Sequence, residues 1–354
     1  MFMNLRMFSA IIIVLTVVLT GINANAQQLK LDTDLISTPS TLDGAQQLKL
    51  DEYANFWIQK MLTSPDPEVS AARDQLVSPL RHPSKSKVFA AAYSSTLIEK
   101  IPEKLIQSQR MIVRFNAMLC LADLSDKSAI PIVQAGLADT NPAIRYLAAQ
   151  AAGKLGAKLD NPSQVMILTL LQNVFFNEPD QVVIEQILGS MSQLTIPQAR
   201  STMLFALNEH VNVHHGNPTI TLKADYDAMR ILFKNIVTEQ AGGQEITLQI
   251  AKQFARAAFR FMLHCSRALD QGRVHQSLQN QYTSMILLSE QILRWISTRV
   301  MQVSENTLPQ NDMSPNIRNS SWTALHLRST EWGTMLQGAP FNISQRDLAV
   351  PTAR

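Results

Sequence analysis

A chain of 354 residues with 46% hydrophobic and 17% charged side chains is long enough for one elongated array or two compact units. Its net charge of +3 builds no polybasic field, which excludes an electrostatic nucleic-acid binder. Only Cys120 and Cys265 are present, each within an apolar helical pattern and with no CxxC or CxxCH, which excludes thioredoxin-like redox chemistry and c-type haem attachment. Two buried thiols are expected, with a disulfide the alternative in an oxidising compartment.

The N-terminus has the three parts of a secretory signal: Arg6, an apolar run from Met7 to Ile22, and Ala24-Asn25-Ala26 as a small-x-small cleavage site. Residues 1–26 are therefore expected to be removed, giving a periplasmic or secreted protein; an uncleaved N-terminal membrane anchor is the alternative. No later apolar run is long enough to span a bilayer. Residues 27–51 are polar and are expected to be a flexible segment. They carry an oddity: AQQLKLD at 26–32 recurs identically at 45–51, which reads as a slipped duplication in a tolerant tail. Tyr53, Phe56, Trp57 and Met61 then have helical spacing and mark the start of the folded part.

Helical patterns follow one another from 52 to 211, separated by short Pro, Asn, Asp or Gly punctuation. They occupy 64–80, 85–101, 110–125, 128–138, 142–156, 161–176, 180–194 and 196–211, and no period-2 alternation interrupts them. The stretch DTNPAIRYLAAQAAGKLG (139–156) is the most informative. Asn141 or Thr140 caps a helix, Pro142 occupies its first turn, and Ile144, Leu147, Ala148, Ala151 and Leu155 share a face. A helix of this length is marginal alone in water, so small residues at 148, 149, 151, 152 and 153 predict close neighbours on several sides. Its register recurs: VRFNAMLCLADLS (113–125) aligns with IRYLAAQAAGKLG (144–156), and a looser match starts at Val183. Recurrence at this length predicts an all-α fold, an α-solenoid of helix pairs.

The run D-x-x-P-x-I-R-x-x-A-A-x-A-A-G-x-L-G at 139–156 closely resembles a HEAT repeat of the short bacterial type. In that family the turn Asp and the Arg six residues later stack between repeats as a polar ladder. The resemblance assigns Asp139 and Arg145 to this structural ladder, with Arg114 as the equivalent arginine one repeat earlier. Ser108 stands where that repeat's Asp belongs, so the ladder is expected to break there.

Three longer helices are expected at 222–240, 244–271 and 274–302, with a tight turn at Gly272 between the last two. Their length predicts a distinct C-terminal bundle or cap over 212–302. Residues 303–320 read as a linker. A last short helix follows, with Trp322, Leu325, Trp332 and Leu336 on one side and the two tryptophans as a terminal lid, and the tail runs to 354.

Chemistry has one candidate centre, EHVNVHHG at 209–216. His210 and His214, with Glu209 and His215 beside them, have ligand spacing for zinc or copper if one helix carries them. Asn212, Gly216 and Pro218 instead predict that the helix stops, leaving an exposed loop. No GxSxG, Walker A or GxGxxG occurs, and no catalytic residue or cofactor is expected. His264 reads as a partly exposed helix residue. Arg256, Arg260 and Arg267 read as a solvated helix face, an anion site being the alternative. The sequons at Asn319 and Asn342 matter only in a glycosylating host. The favoured function is a non-enzymatic scaffold: resemblance to HEAT arrays implies a concave face, lined by the second helix of each pair, that binds another protein or peptide. An enzyme or enzyme subunit with a site in 200–302 and a structural envelope component are the alternatives; related short bacterial repeats also occur in bilin lyases, but the export signal and the unrelated C-terminal half argue against that activity.

Overall fold

A computed structural model describes residues 29–37, 40–215, 221–243, 245–309 and 312–350. The expected signal peptide lies outside the described residues. Every regular element among them is helical, and they divide into two compact units, one ending at Ser108 and the next beginning at Gln109.

The first unit contains α1 (Thr33–Ser37), α2 (Gly44–Thr63), α3 (Asp66–Arg81) and α4 (Lys87–Ile101). The expected flexible segment is corrected here, because α2 begins at Gly44 and takes in the second AQQLKLD copy. The cause is local. The Asp43 carboxylate accepts from the Gln46 amide nitrogen at 2.8 Å and the Gln46 side chain accepts from the Asp43 amide at 3.0 Å, a complete capping box. Leu50 of that copy is fully buried. Of the first copy only Leu29–Asp32 are described, and these are non-helical. The same LKLD sequence thus adopts two conformations in the chain. Inside the unit Tyr53 and Tyr93 donate their hydroxyls to the carbonyls of Gln75 and Leu76 at 2.6 and 2.8 Å, tying α2 and α4 to the same stretch of α3.

The second unit holds α5 (Met111–Leu121), α6 (Ile130–Leu137), α7 (Pro142–Gly156), α8 (Asn161–Phe175), α9 (Gln181–Met191), α10 (Pro197–His215), α11 (Lys223–Ala241), α12 (Leu248–Asp270), α13 (Gln279–Trp295), α14 (Ser314–Arg318), α15 (Trp322–Gln337) and α16 (Gln345–Leu348). They stack in two layers. Helices α5, α7, α9, α11 and α13 pack side by side in sequence, as do α6, α8, α10, α12 and α15. Successive helices alternate between the layers, which is the arrangement of an α-solenoid.

Helix α7 shows why the alanines are there. Asn141 caps it by accepting from the Ala143 amide at 2.9 Å, and Pro142 is its first residue. Helices α5 and α9 flank it in its own layer while α6 and α8 cover it from the other. Ala148, Ala149, Ala151 and Ala152 are all buried in consequence. A Cβ placed on Gly153 would lie 2.9 Å from the Cα of Ser190, so the backbones of α7 and α9 touch where only hydrogen fits.

The same layering continues past residue 212. Helix α11 packs on α9 and α12 on α10, so the long C-terminal helices extend both layers, and no break between compact units falls near 211. Gly272 makes the α12–α13 turn with a φ of +62°. The expected linker at 303–320 is corrected too. Leu308 and Met313 are buried, the Met313 amide donates to Glu290 at 3.2 Å, and Arg294 donates to the Pro309 carbonyl at 2.8 Å. Helix α15 buries Leu325, Trp332 and Leu336, but Trp322 is only half-buried. The Arg294 guanidinium covers the Trp332 ring at 5.6 Å, a cation–π contact in place of the expected tryptophan lid. Cys120 and Cys265 are both buried and not disulfide-bonded.

Candidate functional site

The polar ladder is the first constellation that the fold assembles. Arg114 on α5 pairs with Asp139, which lies in the turn before α7. Asp139 also accepts from the Asn141 amide at 2.8 Å, so one carboxylate braces the cap of α7 and receives the previous repeat's arginine. Arg145 on α7 repeats the pattern one step on. Its Nε and Nη2 donate to the two oxygens of Glu178 at 2.7 Å each, and its Nη1 donates back to the Asp139 carbonyl at 3.0 Å. Glu178 in turn accepts from the Asp180 amide at 2.9 Å, bracing the cap of α9. The hydrogen bonds to Glu178 are the main reason that the Arg145 guanidinium is held above its ordinary pKa. Sequence reasoning missed Glu178. The signal that finds it is an acid two residues before the N-cap, a place Asp139 holds before Asn141 and Glu178 before Asp180. Each arginine reaches forward to the next turn, so the two rungs run from Arg114 to Asp139 and from Arg145 to Glu178, and Ile184 stands on α9 at the position of Arg145.

The second constellation is a groove of about 460 Å³ across the faces of α7, α9 and α11. Its floor is made of Leu188, Ala224 and Ala228, all buried, and Gly189, where an added Cβ would meet nothing within 4 Å. Tyr146, Gln186 and Gln193 line its sides, and Val182 stands 60% exposed at its rim. Charges frame it: Lys223 bonds Glu185 and also Asp227, at 3.2 Å, and Arg230 lies 3.5 Å from Asp227. The carboxylates of Glu185 and Asp227 raise the Lys223 pKa. The groove therefore offers an apolar floor, amide side chains and both signs of charge.

Residues 98–192 match the family model for HEAT repeats. This segment carries HEAT repeats. Helices α5 to α9 lie within the matched HEAT segment, and so do both rungs of the ladder. No curated protein matches the chain. A crystal structure of an engineered protein, a structural-genomics target, is similar over 68% of this chain and 97% of its own, at 11% identity and a TM-score of 0.36.

The histidine candidates are rearranged by the fold. Helix α10 does not stop at Asn212 but runs on to His215, correcting the expected loop. The side chains of His214 and His215 lie outside the described residues. His210 is buried, its Nδ1 sits 2.7 Å from an Asp225 carboxylate oxygen on α11, and its ring packs against Phe175 at 5.3 Å. Among the described residues no group of three His, Cys, Asp or Glu is placed to hold a metal. Burial pushes the His210 pKa down, but the Asp225 charge and hydrogen bond together outweigh it and the net direction is up. A histidine whose folded pKa is raised contributes stability below its unfolded pKa of about 6.5 and loses it as pH rises through the folded value. The melting temperature should accordingly fall between pH 6 and pH 8. His210→Gln should remove most of that slope in a calorimetric pH series, and an unchanged slope would dismiss the pair as its source.

Arg256, Arg260 and Arg267 do not form a solvated face. Arg260 is 4% exposed and donates to the Asn208 carbonyl and, at 2.6 Å, to the Asn212 side chain, tying α12 to α10. Burial first, and then the neighbouring Arg256 charge, lower its pKa. His264 is likewise buried, its ring 6.0 Å from that of Tyr282.

Proposed function

We propose that the chain is an exported, non-enzymatic scaffold that binds another protein or a peptide across the α7–α9–α11 face. The groove at Gly189 is the observation that carries this reading: it lies on the layer formed by the second helix of each HEAT pair, which in HEAT arrays is the partner-binding layer. Gly189, Ala224 and Ala228 keep its floor low, so it can take a partner's larger side chains. The frame of Glu185, Asp227, Lys223 and Arg230 favours a polar polypeptide over a lipid or a small apolar molecule. Export rests on the pattern of residues 1–26, and N-terminal sequencing of the purified mature protein should begin at Gln27.

The test is a displayed peptide library selected on the full chain, with the winners re-measured on Gly189→Trp. Nothing lies within 4 Å of a Cβ added at that position, so the new side chain has room to leave the helix toward the groove. Selected peptides should bind the variant at least about tenfold more weakly, a change of roughly 1.4 kcal/mol, at an unchanged melting temperature. Equal binding to both proteins would move the site elsewhere.

A further inference from the structure

The arginine row of α12 has a ligand within the chain. Arg256 donates through Nε to the Asp347 carbonyl at 2.8 Å, Arg260 through Nε to that of Ala349 at 3.2 Å, and Arg267 through Nη1 to that of Val350 at 3.4 Å. Three guanidinium groups on one helix thus hold the main chain of residues 347–350, which leaves α16 in an extended conformation at Ala349. Main-chain carbonyls are common to every peptide, so this part of the contact reads conformation and not sequence. Sequence enters at three points. Leu348 and Val350 are buried, and the Asp347 carboxylate lies 3.6 Å from Arg256. The contact is therefore specific for an acidic residue followed by aliphatic, any residue, aliphatic.

The α12 face does not end where the tail does. Toward the start of the helix a cavity of about 590 Å³ opens between Leu248, Lys252 and Arg256 on one side and Ile343, Ser344 and Asp347 on the other. Leu248 is 54% exposed at its edge. The tail covers only the C-terminal part of a longer track that begins with an apolar residue and a second cation.

We propose that this track is a second peptide-binding site, selective for an acidic–aliphatic–x–aliphatic segment of a partner protein that leaves a helical turn in an extended conformation, and that residues 345–350 occupy it as an intramolecular competitor. A partner segment that displaced the tail would make the same carbonyl and aliphatic contacts. It would also gain Lys252 and the open cavity, which suits further acidic residues upstream of the motif. Because the tail is tethered beside the site, its high effective concentration sets the affinity that a partner must exceed.

Fluorescence anisotropy with a labelled peptide of sequence QRDLAVP, residues 345–351, tests this on the full chain. In Leu348→Asp/Val350→Asp the tail can no longer dock, and the peptide should bind at least about tenfold more tightly than to the wild type. Adding Arg256→Ala and Arg267→Ala should return binding to the wild-type level. The single change Asp347→Lys, on a side chain 49% exposed, provides the same comparison should the double variant fail to fold. Equal peptide affinity for the wild type and a folded, tail-released variant, or binding that ignores the arginines, would overturn the proposal.

Discussion

Arg145→Ala should lower the stability of the second unit by about 3–5 kcal/mol, the usual result of stranding one member of a buried ion pair. The stranded group is Glu178, whose side chain is 1% exposed and whose two oxygens both receive the guanidinium. Loss of Arg145 also removes the donor to the Asp139 carbonyl, so the turns before α7 and α9 loosen together. Removing both charges as Arg145→Met/Glu178→Leu should cost much less, because no unpaired carboxylate remains in the interior. Arg114→Ala should also cost less, since Arg114 and Asp139 are more exposed, with 26% and 15% of their side chains accessible. Urea denaturation of the three proteins gives the order directly. A near-zero effect of Arg145→Ala would mean that the rung is ornamental and that packing alone sets the repeat spacing.

Gly153→Leu is expected to be comparably damaging for a different reason. Its Cβ would meet the backbone of Ser190, which cannot move without shifting α9 as a whole. Ala148→Leu grows toward Gly136 of α6, where an added Cβ would lie 2.8 Å from that of Ala148, and should cost roughly 1–3 kcal/mol, the range for overpacked cores. The backbone clash places Gly153→Leu at or above the top of that range. The control is Ala143→Leu, at an exposed position in the first turn of α7, which should stay within about 0.5 kcal/mol of wild type. Thermal melts of the series separate a helix enclosed by four neighbours from one lying on a surface, where all three changes would be tolerated.

The parts of the fold legible in the sequence were those written in local chemistry. Asn141, Pro142 and the alanine stripe mark the start and the enclosed sides of α7, whose bounds, Pro142–Gly156, are those expected. Arg114 pairs with Asp139, and Arg145 donates to the Asp139 carbonyl, so the three residues meet at the turn before α7. What escaped notice depends on partners distant in sequence. Glu178 could be recognised only by comparing its offset from the following cap with that of Asp139. The α12 arginines looked solvated because their acceptors, on α10 and in the C-terminal tail, are distant in sequence. Residues 303–320 have no helical period, and their contacts to buried Glu290 and half-buried Arg294 come from a helix the local sequence does not reveal. His210 looked loop-bound because Asn212, Gly216 and Pro218 argue locally against helix, whereas the Asp225 contact and burial between α8 and α11 reward its continuation.

The long C-terminal helices illustrate the same limit in another way. Length predicts a C-terminal bundle or cap, while the layer each helix joins is set by which face is apolar, which length does not report. Helix α12 buries Phe254, Ala258, Phe261 and Cys265 at helical spacing and takes its place against α10 as a shorter helix would.

The working surface is tested most directly by site-specific photo-crosslinking. A benzoylphenylalanine placed at Val182, on the rim of the α7–α9–α11 groove, is compared with one at Val165 on α8 in the other layer; the two side chains are 60% and 40% exposed. Crosslinking of a selected peptide at 182 and not at 165, abolished by Gly189→Trp, is the expected result. Equal capture at both positions, or capture at 165 alone, would contradict it.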